Sequence, residues 1–425
     1  MIISIILAIL FSHSSLRAQP LDVSVESESA ILMNADTGAI LYEKNKHLTC
    51  FPASITKIAT AAYVFKLHED KLADSLTASQ DAIGWVTEEA KKKANYTLPA
   101  YWLVPGGTHM NILKGETLTL EDLLYGLMLV SANDAANVIA EHLGGTIPDF
   151  MQSLNTYTKQ VGCLHSVFCN PHGLHHPDHK TTAYDMAVLT REALKSSTLR
   201  QMLGTVKRVR PKTNKQAASS LVQNHPLLKQ GKYFYPKAIG AKTGYTYLAQ
   251  NNLVVVAEDQ DRTLIAVLLK MKEREQLFKD AIKLFDTAFQ QPKVERLLLR
   301  KGLQKFTLEL PWAASALQAS LNEDLKVEYY PAEEPEFKCA VEWFNLTHPV
   351  RQGQMIGHIN LTDHRQLIEK KIPIYAAQEV GYSWSYWLQN SLLEPLISRK
   401  TVKKAGFLMG LLLVGGFILR LNKRR

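Results

Sequence analysis

Cysteine is scarce: Cys50, Cys163, Cys169 and Cys339 are the four in 425 residues. Four scattered thiols in so long a chain are not a disulfide scaffold, even where export permits bridges. Free, buried thiols are expected; Cys163 and Cys169 are first in line to pair, on nearness alone. Internal repeats and low-complexity stretches are absent, which sets aside repeat arrays and disordered tails. Nucleic-acid motifs are absent too, although the formal net charge is +9 and the pI about 9.1. A basic balance without such a motif points instead to anionic lipid or an acidic polymer. Nor is the chain charge-rich: 21% of residues are charged and 46% hydrophobic, the balance of globular domains. Its length leaves room for two or three of them.

Long apolar runs are also few, and they sit at the two ends. Met1–Phe11 (MIISIILAILF) is almost wholly apolar, and a polar stretch and Ala18 follow it. This reads as a secretory signal peptide over residues 1–18, cleaved after Ala18. An uncleaved anchor is the alternative, since no Lys or Arg precedes the run and Leu16 is large for its position. Eleven residues are short for a span. Ala405–Leu419 is uncharged, with Lys403 and Lys404 before it and Arg420, Lys423, Arg424 and Arg425 after it. Fifteen helical residues cover about 22 Å, and snorkelling of Lys404 and Arg420 can close the gap to a bilayer core. A C-terminal membrane-anchor helix is therefore expected within 381–425. Gly406 and Gly410 form a GxxxG step that allows helix pairing and a homodimer. Tyr382, Trp384, Tyr386 and Trp387 suit either a membrane interface or a packed domain edge.

Between the ends, Ala30–Asn45 reads as strand, Asp-Thr-Gly turn, strand. Ser54–Leu67 and Leu120–Leu143 read as two buried helical regions, the second capped by Thr119 with Asp122. Leu253–Ala257 and Thr263–Leu269 form a hairpin, and Glu275–Phe289 an amphipathic helix. A first domain with helices and an antiparallel sheet is thus assigned to residues 19–290. After Lys293 short β-like runs follow one another: 305–310, 325–330, 339–346, 355–361 and 371–376. They predict a small all-β domain over 291–380.

Three motifs occur in order: Ser54-Ile-Thr-Lys57, Ser131-Ala-Asn133 and Lys242-Thr243-Gly244. Each alone is an ordinary cap or turn. Together, in this order, they are the established signature of class A β-lactamases and penicillin-binding proteins. The chemistry explains the spacing. A serine hydroxyl needs a base to become a nucleophile, and three residues along a helix put Lys57 on the face of Ser54. Lys57 must be neutral to accept a proton; burial and the Lys242 cation would both lower its pKa. Ser131 can relay a proton to the leaving amine, and Asn133 can hold a substrate amide. Lys242, Thr243 and Thr246 suit a substrate carboxylate. Gly244 allows close backbone approach, and the N–H groups of Ser54 and Tyr245 are candidates for an oxyanion hole.

With those residues in place, the chain resembles the low-molecular-mass penicillin-binding proteins that are serine-type D-alanyl-D-alanine carboxypeptidases. The likeness runs through NADTGAILYEKN, FPASITKIATA, LYGLMLVSANDAANVIAEHLGG, NPHGLHHPDHKTTAYDMAVLTREAL, QNHPLL and AIGAKTGYT, roughly residues 25 to 290. It implies an α/β (α+β) serine β-lactamase/DD-peptidase-like catalytic domain followed by a β-rich domain. It implies removal of the terminal D-alanine of peptidoglycan stem peptides through an acyl-enzyme on Ser54, with β-lactams acylating the same serine. No cofactor is implied, and an exported protein at the outer face of the cell membrane is. A DD-endopeptidase or a β-lactamase would use the same site, and a non-catalytic penicillin-binding sensor could keep it. No E-x-x-L-N glutamate of the β-lactamase kind is present between the second and third motifs. Trp85–Pro105 is longer and more aromatic than usual, and Tyr247–Asn252 replaces an expected acidic residue and glycine. The dense His172, His175, His176, Asp178, His179 cluster could suggest zinc. A serine site of this kind needs no metal, so none is assigned.

Overall fold

The computed structural model describes residues 7–9, 19–333, 337–346, 349–363 and 369–388. It divides into two compact units. The first comprises Arg17–Pro292 together with Tyr330–Glu334. Its centre is an antiparallel five-stranded sheet. The strands are β1 (Ser29–Asn34), β2 (Ile40–Lys44), β3 (Ala238–Thr246), β4 (Gln250–Asp259) and β5 (Arg262–Met271), in the order β2-β1-β5-β4-β3. The turn between β1 and β2 carries Asp36, Thr37 and Gly38, with Gly38 at φ 72° as such a turn requires.

Apolar residues run continuously through β4 and β5 because both faces of the sheet are buried. Ile265, Val267 and Leu269 of β5 face one cluster with Val254 and Val256 of β4. Leu264, Ala266 and Leu268 face another with Leu253 and Val255. The first cluster is completed by the helices α1 (Thr56–His68), α2 (Leu120–Leu129), α3 (Asn133–Gly144), α4 (Ile147–Gln160), α5 (Ala183–Ala193) and α6 (Ser197–Gly204). The second is completed by α7 (Arg274–Phe289), through Leu277, Phe278, Ala281, Leu284 and Phe285. Thr119 caps α2, its hydroxyl accepting the Asp122 N–H at 3.1 Å.

The helical region 120–143 is formed by two helices, with Ser131 just past the end of the first. The chain breaks at Val130–Ala132, where Ser131 takes φ 60°. The break is held from outside: the Asn133 N–H donates to the Thr108 carbonyl at 2.8 Å. Asp134 accepts the N–H groups of Met110 and Ile112, each at 3.0 Å.

The second unit comprises Lys293–Tyr329 and, of the described residues beyond it, 337–346, 349–363 and 369–388, together with 7–9. Its described strands are antiparallel: Phe337–Trp343, Met355–Asp363, Glu369–Ala376, Leu317–Leu321 and Gly302–Leu308 lie side by side in that order. Val294–Leu299 and Leu325–Tyr329 form a separate pair. Leu317–Leu321 and Val294–Leu299 were not anticipated from sequence. Leu7–Ile9, within the signal-peptide range, lies as a strand against Cys339–Val341. The rest of that range and the anchor segment lie outside the described residues. Among the described residues no helix is long and apolar enough to cross a membrane. Of the aromatic cluster, Tyr382 stacks on Tyr386, and Trp384 on Trp387, inside this unit. All four cysteines are free thiols.

Candidate active site

Ser54 stands in a tight turn, Ala53–Ile55, that runs directly into α1. Ala53 adopts φ 50°, a left-handed conformation uncommon for a residue with a side chain. Three neighbours hold the turn in that shape. Asn252, fully buried in β4, donates its amide to the carbonyls of Phe51 at 2.9 Å and Pro52 at 3.0 Å. Gly173 packs so tightly that a Cβ there would sit 1.9 Å from the Ala53 oxygen. Gly244 of β3 also packs against the turn: a Cβ would sit 2.8 Å from the Pro52 oxygen and 2.9 Å from the Ser54 nitrogen.

One helical turn on, Lys57 is wholly buried. Its Nζ stands 3.1 Å from Ser54 Oγ, 2.7 Å from Asn133 Oδ1 and 2.6 Å from the His172 carbonyl. Burial first, and then the Lys242 cation, hold its pKa well below the usual lysine range, against a smaller opposing pull from Asp134. Ser131 is set in the break between α2 and α3, and its Oγ accepts a hydrogen bond from Lys242 Nζ at 2.9 Å. Lys242 also donates to the Thr243 carbonyl at 3.0 Å, and burial brings its pKa down to about 7.

These residues surround one cleft of about 500 Å³. Ser54, Ser131, Asn133, Lys242, Thr243, Gly244, Tyr245 and Thr246 all line it, so every sequence-predicted residue except the buried Lys57 reaches its surface. The lining also includes residues without a sequence motif. Arg274, at the start of α7, adds a second cation beside Lys242. Gly107 faces Asn133 so closely that a Cβ would lie 2.9 Å from Asn133 Nδ2. The loop that lines the cleft begins at Gly106, one residue beyond the aromatic Trp85–Pro105 stretch. That stretch acts behind the cleft: the Tyr101 carbonyl meets His172 Nε2 at 3.0 Å, and the His172 carbonyl holds Lys57. Tyr247–Asn252 supplies Asn251 and Asn252 to the cleft wall. An asparagine in a departing stretch was a visible cue to Asn252; Arg274 had no motif to mark it.

The histidine cluster is dispersed into structural contacts. His172 Nδ1 accepts the Leu174 N–H at 3.1 Å. His179 Nδ1 accepts the Cys169 N–H at 3.1 Å, and its Nε2 meets Thr56 Oγ1 at 2.8 Å. Burial holds both rings neutral, with His179 brought down to about 3. His175 packs edge-on against Phe51 at 4.7 Å. Among the described residues, no group of three His, Cys, Asp or Glu could hold a metal ion.

Residues 14–273 match the sequence pattern of the D-alanyl-D-alanine carboxypeptidase family. The chain is 27% identical over 376 residues to the D-alanyl-D-alanine carboxypeptidase DacF of Bacillus subtilis, covering 84% of this chain and 87% of that one. It is 29% identical over 371 residues to the D-alanyl-D-alanine carboxypeptidase DacD of Salmonella typhimurium, covering 85% and 88%. Among solved structures, penicillin binding protein 6B from Escherichia coli has the same fold, with a TM-score of 0.58 at 23% identity. That match covers 85% of this chain and 98% of the other.

Proposed function

The chain belongs to the D-alanyl-D-alanine carboxypeptidase family, and from that premise we propose that Ser54 is the acylated residue and Lys57 its base. The protein is a serine-type D-Ala-D-Ala carboxypeptidase, a cell-wall hydrolase of the penicillin-binding kind. The single observation that carries the assignment of roles is the set of three oxygens around Lys57 Nζ. A neutral amine has two hydrogens and one lone pair. Asn133 Oδ1 and the His172 carbonyl take the hydrogens, which leaves the lone pair to face the Ser54 hydroxyl. Burial and the Lys242 charge favour that neutral state.

In the first step Lys57 takes the Ser54 proton as Oγ attacks the carbonyl of the penultimate D-alanine. The N–H groups of Ser54 and Tyr245 receive the developing oxyanion. Asn133 Nδ2, its oxygen already engaged by Lys57, is free to bind the substrate amide. Lys242, Thr243, Thr246 and Arg274 offer two cations and two hydroxyls to the terminal carboxylate. Ser131 Oγ, which accepts a hydrogen bond from Lys242, gives its own proton to the leaving D-alanine and is reprotonated by the proton that Lys57 took from Ser54. Water then releases the acyl group by the same base. β-Lactams acylate the same serine but leave slowly. The protein acts on the outer side of the cell membrane, and the Ala405–Leu419 segment tethers it there, its GxxxG step allowing pairs to form.

The test is release of free D-alanine from an N-acyl pentapeptide by purified protein, with a cross-linked dimer beside it. Wild type releases D-alanine and Ser54→Ala does not. Covalent labelling by penicillin without any release would instead identify a sensor. Cleavage of the dimer alone would identify an endopeptidase.

A further inference from the structure

The long aromatic stretch Trp85–Pro105 carries a lysine that is turned inward. Lys91 lies in a short helix, Glu88–Lys93, and is 3% exposed, whereas Lys92 and Lys93 beside it are exposed. Its Nζ donates to the Trp102 carbonyl at 2.5 Å and reaches the Ala100 carbonyl at 3.5 Å. A buried ammonium is costly, and burial brings the Lys91 pKa down to about 8 against an opposing pull from Glu88. A lysine that served only to keep the helix in water would face outward. This one is committed to two backbone oxygens.

The carbonyl between those two is that of Tyr101. It accepts two hydrogen bonds, its full complement: from Asn137 Nδ2 at 2.9 Å and from His172 Nε2 at 3.0 Å. His172 Nδ1 accepts the Leu174 N–H, so the neutral ring carries its proton on Nε2 and donates it here. Each donor belongs to a segment that holds Lys57. His172 offers its own carbonyl to Lys57 Nζ at 2.6 Å. Asn137 lies one helical turn beyond Asn133 on α3, and Asn133 Oδ1 meets Nζ at 2.7 Å. The two acceptors that take the hydrogens of a neutral Lys57 are thus both tied to one backbone oxygen. Asp81 holds the same segment by its side chains, through the Tyr101 hydroxyl at 2.8 Å and Trp102 Nε1 at 3.1 Å. Side-chain contacts leave the peptide planes free to turn, whereas bonds to the carbonyls on either side fix them.

On the reading of Lys57 as the base, on which this inference rests, its lone pair must face Ser54 Oγ, and the two acceptors decide where it points. We propose that Lys91 is a positioning residue for that base: its ammonium fixes the Tyr101 carbonyl, which in turn aligns His172 and Asn137 behind Lys57. Lys91 is not among the residues that line the cleft, so it acts through others. The His172 carbonyl gives this role a signature. A carbonyl accepts more strongly from an ammonium than from an amine, so this oxygen raises the Lys57 pKa, and loosening it lowers that pKa. Loss of the Lys91 charge by itself would act the other way, since a nearby cation lowers the pKa of a lysine. The charges that act most on Lys57 are those of Lys242 and Asp134, and a Lys91 variant leaves both in place.

The experiment measures the second-order rate of acylation by a labelled penicillin as a function of pH, in wild type, Lys91→Met, Lys91→Gln, Lys91→Arg and Lys57→Met. The final extent of labelling counts the folded sites, and each rate is taken per labelled site, so partial unfolding does not enter. Lys91→Met is expected to lower the plateau rate about tenfold and to move the acidic limb to lower pH. Release of D-alanine falls in parallel, with KM little changed, because the cleft lining is untouched. Lys91→Arg, which keeps charged donors for the two carbonyls, recovers part of the rate. Lys91→Gln, with a shorter and neutral donor, falls between, and it carries the test if the Met variant does not fold. A plateau within about twofold of wild type overturns the proposal. A lowered plateau with the acidic limb unmoved or raised overturns it as well, since that is what a structural brace or a bare charge effect gives. So does an Arg variant no faster than the Met variant. Lys57→Met is expected to abolish acylation. If it acylates as wild type does, the reading of Lys57 as the base fails first, and the role of Lys91 with it.

Discussion

Two lysines with unequal environments set the chemistry at the residue scale. Lys57 works as a base only when neutral, so its contribution grows as pH rises through its lowered pKa. Lys242 binds a carboxylate only when charged, and that charge is lost as pH rises through about 7. The free-enzyme profile of kcat/KM is therefore expected to be bell-shaped, with an alkaline limb near pH 7 belonging to Lys242. Lys242→Arg, which keeps the charge at all accessible pH, should remove that limb. Lys242→Ala should shift the acidic limb upward, because Lys57 loses the neighbouring cation that depresses it. An acidic limb unmoved in Lys242→Ala would show that burial alone tunes Lys57. The pairing of Ser54 with Lys57 was legible from their spacing of three. The contact with the His172 carbonyl was not, because a backbone oxygen carries no residue-type signal.

Close approach between chain segments decides the site at the scale of elements. Strand β3 reaches the nucleophile's turn only because Gly244 lacks a side chain. Gly244→Ala should force the strand and the turn apart, since a Cβ would meet the Pro52 oxygen and the Ser54 and Ile55 nitrogens within 3.0 Å. A displacement of that kind lowers the rate of acylation by roughly a hundredfold, readable as slower labelling by penicillin. The helix break at Ser131 belongs to the same scale. Apolar residues continue at helical spacing on both sides of it, so periodicity alone shows a helical region and gives no reason for the break. Tertiary bonds from Asn133 and Asp134 to the 108–112 loop supply the reason for the break. The central strands were easier to see, since their continuous β-branched and apolar runs need two covered faces.

At the scale of the whole molecule, the short segment Tyr330–Glu334 belongs to the first unit although it lies far along the chain. Its anchor is a buried ion pair: Glu333 with Arg262, whose side chains are 8% and 3% exposed. Asn34 adds a hydrogen bond to Glu333 at 2.6 Å, and Arg262 donates to the Ala288 carbonyl at 2.7 Å. Arg262→Met leaves the Glu333 charge buried with one donor, which should cost about 3 kcal/mol in a denaturant titration. D-Alanine release at low temperature should be retained, since neither residue lines the cleft. The proposed tether is tested at this scale too. A chain ending at Leu388 should move from the membrane to the soluble fraction and keep its activity; persistence in the membrane would place the attachment elsewhere.

What the sequence determined by itself was the ordered motif set, the alternation of helical and β periodicities, and hence the residues that could meet in one site. Those signals are local, because a nucleophile three residues before its base, or a strand buried on both faces, leaves its mark within a short window. The tertiary structure decided the rest. It placed Arg274 beside Lys242, used Asn252 to hold the turn before Ser54, and turned the histidine cluster to backbone contacts. It also set Gln223 and His225 of the QNHPLL segment around a cavity beside the cleft. Each of these depends on contacts between residues far apart in the chain, which no short window records.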